Sequence, residues 1–426
     1  MEAKPATQGK DLGDLRNLPR SSVRSFLYKA ATDQQKRYHF LLGAFLPSVI
    51  GPWIGEYFKN RFGSRHKFQS YEDPAGDKGI YKLGDDSSIG GKPDPNGEIR
   101  MSLAGDWGTG TDEANEVADQ MNQFHPHYTV HLGDVYYVGD KTEVEENCLG
   151  IPDPDHSFTP CIWPLGSVGS FALNGNHEMY ARGIAYFDRF LPELGMRPGC
   201  GARPAGQHAS FFCLENEHWR IIALDTGYNS IGIPILEYLF SPSCKLRDEQ
   251  LQWLREVVKP SQDKRGIILL SHHQYFSSFD KQYPKAAQQL NPLINAPVLW
   301  FWGHEHRMTI YGRYGQKGGI EAYGRCIGHG GMPVEINPER KHSEYPLVLC
   351  DNRKYPSSED ITVGYNGFVN MTFKGNQLSI DYRDLKNNLF LTEEWAVENG
   401  RLTGKIKDGS LAAVLYPQVD LKLATN

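Results

Sequence analysis

Residues Met101 to Tyr137 constrain the fold of this chain more than any other stretch. They read MSLAGDWGTG, then a run of helical character, then YTVHLGDVYY. Two short apolar strands each run into Gly-Asp, which places Asp106 and Asp134 on loops at strand ends. A carboxylate there is displayed, because the strand has already committed its backbone hydrogen bonds to a sheet. Three later stretches repeat the device: LNGNHE at 173–178, ILLSHHQ at 268–274 and LWFWGHEH at 299–306. The pattern gathers oxygen and nitrogen ligands along one sheet edge, an arrangement suited to metal.

The local pattern around the first pair is a βαβ unit. A strand near 99–104 meets GDWGTGT, where Thr111 can cap a helix carrying Asp112 and Glu113 in its first turn. Ala114, Val117, Ala118 and Met121 form that helix's apolar stripe, so the two flanking strands are expected to be parallel neighbours. Further strands fit near 168–173, 220–224, 266–270 and 297–301. A helix runs through Leu251, Leu254 and Val258, and helical material falls between 283 and 294. Beyond 308 the pattern turns to hairpins: TIYGRY, IEAYGRCIG, FVNMTF and LSIDYRD. The expected class is α/β, as two packed sheets with flanking helices.

The domain expectation follows from the flanks. Residues 1–97 form an N-terminal arm, an apolar segment and a Gly/Asp/Pro/Ser-rich connector; 98–396 form the catalytic domain; 397–426 form a tail. From Tyr38 to Gly55 the chain is uncharged for 18 residues, but Pro47 and Pro52 interrupt it. Leu42, Phe45, Leu46, Val49, Ile50, Trp53, Ile54 and Tyr57 make an amphipathic stripe. Two readings stay open for 38–58: contact with its own domain or a second copy, or a membrane-interface helix followed by Lys59, Arg61, Arg65 and Lys67.

A net charge of −6 gives no support to a nucleic-acid or membrane-surface role resting on bulk charge. The seven cysteines show no CxxC pair, which favours scattered reduced thiols; Cys148 and Cys161 could close a loop in an exported chain. The first thirty residues hold charges throughout and no apolar run, so no signal peptide is expected and a cytoplasmic location is.

The donor set makes chemical sense. Asp106 and Asp134 are hard anionic oxygens, Asn176 adds an amide oxygen, and His272, His304 and His306 offer imidazole nitrogen. Tyr137 can add a phenolate. The mixture suits Fe, Mn or Zn. Seven ligands are too many for one ion but fit two that share a carboxylate; such pairs, about 3.5–4 Å apart, clamp phosphoryl groups.

GDWG, GDVYY, GNHE, LLSHH and GHEH resemble the five motif blocks of the calcineurin-like metallophosphoesterases, and within them the purple acid phosphatases, over roughly 98–390. Gly108 stands where many other members carry a histidine ligand, and Tyr137 stands three residues after Asp134, at the family's tyrosinate position. The resemblance implies Asp106, Tyr137 and His306 on Fe(III), and Asn176, His272 and His304 on a divalent Fe, Zn or Mn ion. Asp134 would bridge the two ions, and His177 would contact substrate and assist proton transfer. The implied reaction is hydrolysis of a small phosphate monoester by in-line attack of a metal-bound hydroxide, with no nucleic-acid partner.

Softer positions surround this set. His273 is an alternative ligand to His272, and His329 in CIGHGG could reach the site. Tyr136 is expected in the core, His125, His127 and His131 at surface or core, and Asp225 in a supporting role. Two rival functions are a phosphodiesterase or nuclease on the same scaffold, and a non-catalytic membrane-associated binding protein using 38–58. Specificity would sit in loops 139–167, 180–210 and 228–246.

Overall fold

The computed structural model describes residues 57–72, 76–89, 91–154, 160–197, 206–233, 237, 242–355 and 363–408. The apolar segment at 38–58 lies outside these residues, apart from Tyr57 and Phe58.

Two eight-stranded sheets carry the molecule. In spatial order one holds Ile80–Lys82, Phe212–Glu215, Trp219–Leu224, Gly266–Ser271, Val298–Trp302, Ala322–Ile327, Met308–Tyr314 and Leu347–Cys350. The other holds Arg401–Asp408, Leu389–Glu398, Gln377–Asp384, Gly367–Lys374, Ile99–Ala104, Tyr128–His131, Gly169–Ala172 and Gly195–Met196. The fold is mixed α/β, as the sequence pattern implied. Strand Ile80–Lys82 comes from the stretch read as a connector, and Arg401–Asp408 from the stretch read as a tail.

Each sheet contains a parallel run. Ile99–Ala104, Tyr128–His131 and Gly169–Ala172 are parallel neighbours. So are Trp219–Leu224, Gly266–Ser271, Val298–Trp302 and Ala322–Ile327. Strands GIILLS and VLWFW are buried along their whole length, which explains why they read as continuous apolar runs instead of alternating ones. The segment 322–327 pairs as a hairpin with 308–314 and also extends this parallel run, which hairpin spacing alone did not reveal.

Between the sheets, Met101, Leu103, Val130 and Phe171 meet Ile221, Ile268, Leu299 and Phe301 in one core. Helix Asp112–Gln123 covers the outer face of one sheet with Ala114, Val117, Ala118 and Met121. Thr111 accepts a hydrogen bond from the Ala114 amide, the cap the sequence called for. On the other side, helix Asp248–Trp253 and its π-helical continuation Leu254–Val258 pack with helix Lys285–Leu290. Cys148, Cys213, Cys244, Cys326 and Cys350 are buried free thiols, and Cys161 is buried as well. Among the described residues no helix is long and apolar enough to cross a membrane.

Candidate metal centre

The carboxyl ends of the parallel strands point to one edge, where ligands of open α/β sheets collect. Strand Ile99–Ala104 delivers Asp106, Tyr128–His131 delivers Asp134, and Gly169–Ala172 delivers Asn176 and His177. From the other sheet, Gly266–Ser271 delivers His272, and Val298–Trp302 delivers His304 and His306.

The backbone is bent to achieve this. Asp106, Asp134 and His304 have φ of +57°, +74° and +65°, the left-handed region that side chains other than glycine avoid. Each such residue costs about 1–3 kcal/mol and persists where the surroundings impose it, most often at functional sites. Here the turns are held by hydrogen bonds. The His304 amide donates to Asp106 Oδ2 at 2.7 Å, and the His177 amide donates to Asp134 Oδ1 at 3.1 Å. A Cβ on Gly175 would collide with Asp134 Oδ1, and one on Gly303 with Asp106 Oδ2. The glycines of GNHE and GHEH are therefore required by close approach of the carboxylates.

The side chains converge tightly. His272 Nε2 lies 3.3 Å from Asp134 Oδ2, 3.1 Å from Asn176 Oδ1 and 3.3 Å from His304 Nδ1. His306 Nε2 lies 3.6 Å from Asp106 Oδ1. His272 Nδ1 faces the Leu132 carbonyl at 3.0 Å, so Nδ1 carries the proton and Nε2 turns to the cluster. Asp106 and Asp134 are 0% and 1% exposed, and among the described residues neither has a lysine or arginine partner. Buried carboxylates with no lysine or arginine partner among the described residues, facing imidazole nitrogens and an amide oxygen, form a donor set that fits metal ions. Ligand atoms of Asp106, Asp134 and His272 fall within 4.8 Å of one another, as do those of His272, His273 and His304.

Electrostatics tell the same story. Burial opposes ionisation of Asp134, but the His272 and His177 imidazoles outweigh it and hold its carboxyl well below the usual range. Burial likewise opposes charge on His272, yet Asp134 raises it to about 9. Burial, reinforced by His272, lowers His304 to about 4. Metal binding at these atoms would have to displace the His272 proton.

Tyrosine placement departs from the spacing argument. The Tyr136 hydroxyl sits 2.8 Å from Asp106 Oδ1, 3.0 Å from Asp134 Oδ2 and 3.0 Å from His306 Nε2. Tyr137 instead packs with Tyr57, Val138, Tyr180, Ala181 and Ile233, and its buried hydroxyl has no hydrogen-bond partner among the described residues. The hydroxyl beside the carboxylates is thus that of Tyr136, expected in the core, and not that of Tyr137, which the resemblance points to.

His177 lies beside the cluster. Its Nδ1 is 2.6 Å from the Tyr137 carbonyl, which fixes the proton there and leaves Nε2 3.8 Å from Asp134 Oδ2. Burial pushes its pKa down. His273 Nδ1 faces Thr226 Oγ1 at 3.2 Å, while its ring stacks at a tilt on His304. The other histidines stand apart: His131 is wedged among Trp107, Trp163 and Phe190, and His127 accepts from the Arg100 amide. The buried His329 lies in neither ligand group, and its carbonyl ties down Gly367. Asp225 accepts from Ser210 and the Tyr228 amide. Two acidic residues not singled out from sequence brace the loops. Glu143 accepts from the Tyr137 and Val138 amides, and Glu178 from the Gly175 amide.

Residues 99–308, which span every one of these motifs, match the family model of the calcineurin-like phosphoesterases. The chain carries a calcineurin-like phosphoesterase domain. That domain is of the metallophosphoesterase type, a superfamily of hydrolases whose members work with a metal-ion pair. No curated protein matches the sequence. Among solved structures, GAP50, described as the anchor in the inner membrane complex of Plasmodium, is 14% identical with a TM-score of 0.45. The likeness covers 71% of this chain and 89% of that one. The purple acid phosphatase PPD1 of yellow lupin (Lupinus luteus) is 14% identical, TM-score 0.46, over 71% of this chain and 54% of its own. PhoD is 12% identical, TM-score 0.43, over 72% and 71%. None of these likenesses assigns a substrate to the phosphoesterase domain.

Proposed function

We propose that the phosphoesterase domain hydrolyses small phosphate monoesters at a centre of two metal ions, of purple acid phosphatase type. The observation that carries this reading is the Tyr136 hydroxyl, held between two buried carboxylates and His306. Asp106, Tyr136 and His306 would hold Fe(III); Asn176, His272 and His304 would hold a divalent Fe, Zn or Mn ion; Asp134 would serve both. Such a pair, when bound, acidifies water and offsets the charge that develops on a transferring phosphoryl group.

The chain's own residues supply the rest. The buried turns hold the donors rigidly, so little reorganisation is needed as charge develops. His177 keeps Nε2 free of the Tyr137 carbonyl and facing the cluster, where it can accept or return one proton of the water or leaving alcohol. The products are inorganic phosphate and an alcohol.

Turnover of an aryl phosphate monoester against the corresponding bis-ester tests this reading. With iron–zinc-loaded protein the monoester is expected to be hydrolysed at least about tenfold faster, a difference of about 1.4 kcal/mol in barrier. The reverse preference would assign the domain to diesters.

A further inference from the structure

We propose that Tyr180 and Glu237 form a positioning pair that fixes the side-chain amide of Asn176 with its oxygen toward the metal centre. This inference rests on the metal-centre reading above and adds residues that no sequence motif contains.

Asn176 and Tyr180 open and close the short helix Asn176–Tyr180, so they share one face at i and i+4. Asn176 Nδ2 donates to the Tyr180 hydroxyl oxygen at 2.8 Å, and that hydroxyl donates to Glu237 Oε2 at 2.7 Å. The other carboxylate oxygen, Oε1, accepts from the Gly232 amide at 2.8 Å. A carboxylate only accepts, so the single Tyr180 proton is committed to Glu237. The Tyr180 oxygen is then left to accept, and the group of Asn176 facing it must be the NH2. The amide oxygen is thereby turned the other way, to 3.1 Å from His272 Nε2. An amide could otherwise present either end to the centre; only the oxygen can ligate a metal ion.

Glu237 is itself held from two sides. Lys281 Nζ donates to its carbonyl at 2.8 Å. The Arg65 guanidinium donates to the carbonyls of Tyr228, Ser230 and Ile231, fixing the loop that presents the Gly232 amide. Arg65 precedes the phosphoesterase domain in sequence, so part of the N-terminal extension supports the site from outside the motifs.

Calorimetric titration of metal-free protein with Zn(II) tests the pair. Wild type is expected to bind two ions. Tyr180→Phe should keep one and bind the other about 10–100-fold more weakly, the usual effect of removing a group that orients a ligand. Glu237→Gln, which keeps the shape but can donate to Tyr180, should weaken the same ion. In an Asn176→Ala background, Tyr180→Phe should add less than about a twofold loss, because the pair acts through that amide. Two variants that bind both ions as wild type does would overturn the inference and leave the two-metal reading intact. So would an undiminished further loss in the Asn176→Ala background, which would mark Tyr180 as structural. A wild type that binds no Zn(II) would overturn both.

Discussion

The Tyr136 hydroxyl lies 2.8 Å from Oδ1 of Asp106, while that of the next residue, Tyr137, is buried with no hydrogen-bond partner among the described residues. Tyr136→Phe removes an oxygen from the donor set, so it should lower phosphatase turnover by at least about tenfold. In iron-loaded protein it should also abolish the visible absorption band of a phenolate on Fe(III). Tyr137→Phe should retain the band and stay within about twofold of wild-type turnover. Absorption spectra of the two variants decide between the neighbours.

His177 touches the cluster without belonging to either ligand group. His177→Asn should therefore leave the bound metal unchanged and lower kcat by about 10²–10⁴-fold, the usual range for a positioned acid–base group. Metal content and steady-state kinetics on one preparation provide the check.

Burial raises the Asp225 carboxyl to about 6, against the donors Ser210 and Tyr228 that favour its ionised form. The usual carboxyl value is 3.8, so between about pH 4 and 6 the native state holds a proton that the unfolded chain has released. This contribution to stability is complete below the lower value and is lost as pH rises through the upper one, by at most about 1.4 kcal/mol per pH unit. Asp225→Asn in metal-free protein should flatten that slope. Urea unfolding at several pH values from 4 to 7 measures it.

Arg325 and Glu393 join the two sheets through the core. Both are 0% exposed, and the guanidinium binds the carboxylate through two hydrogen bonds of 2.8 and 3.0 Å. Glu393→Ala strands a buried cation and should cost about 3–5 kcal/mol in chemical denaturation. Replacing the pair together, Arg325→Met with Glu393→Leu, should recover most of that loss.

Much of this site was legible because each ligand motif closes an apolar strand, so chain order alone brought Asp106, Asp134, Asn176, His272, His304 and His306 to sheet ends. The Thr111 cap and the parallel unit that follows were legible for the same local reason. The place of the Tyr136 hydroxyl was not, since the turn after Asp134 decides which of two adjacent tyrosines faces the carboxylates. Tyr180 and Glu237 were not legible either, because their meeting spans a loop whose path follows no periodicity. In sequence Arg65 reads as one of the cations after the apolar segment and Ile80–Lys82 as part of the connector, yet one clamps the loop 228–231 and the other completes a sheet edge.

The two-metal centre is tested most directly by metal content measured together with phosphomonoester turnover, before and after chelation. About two ions per chain are expected, with turnover lost on their removal and restored on their return. Turnover that persists in metal-free protein, or a chain that takes up no metal on reconstitution, would contradict it.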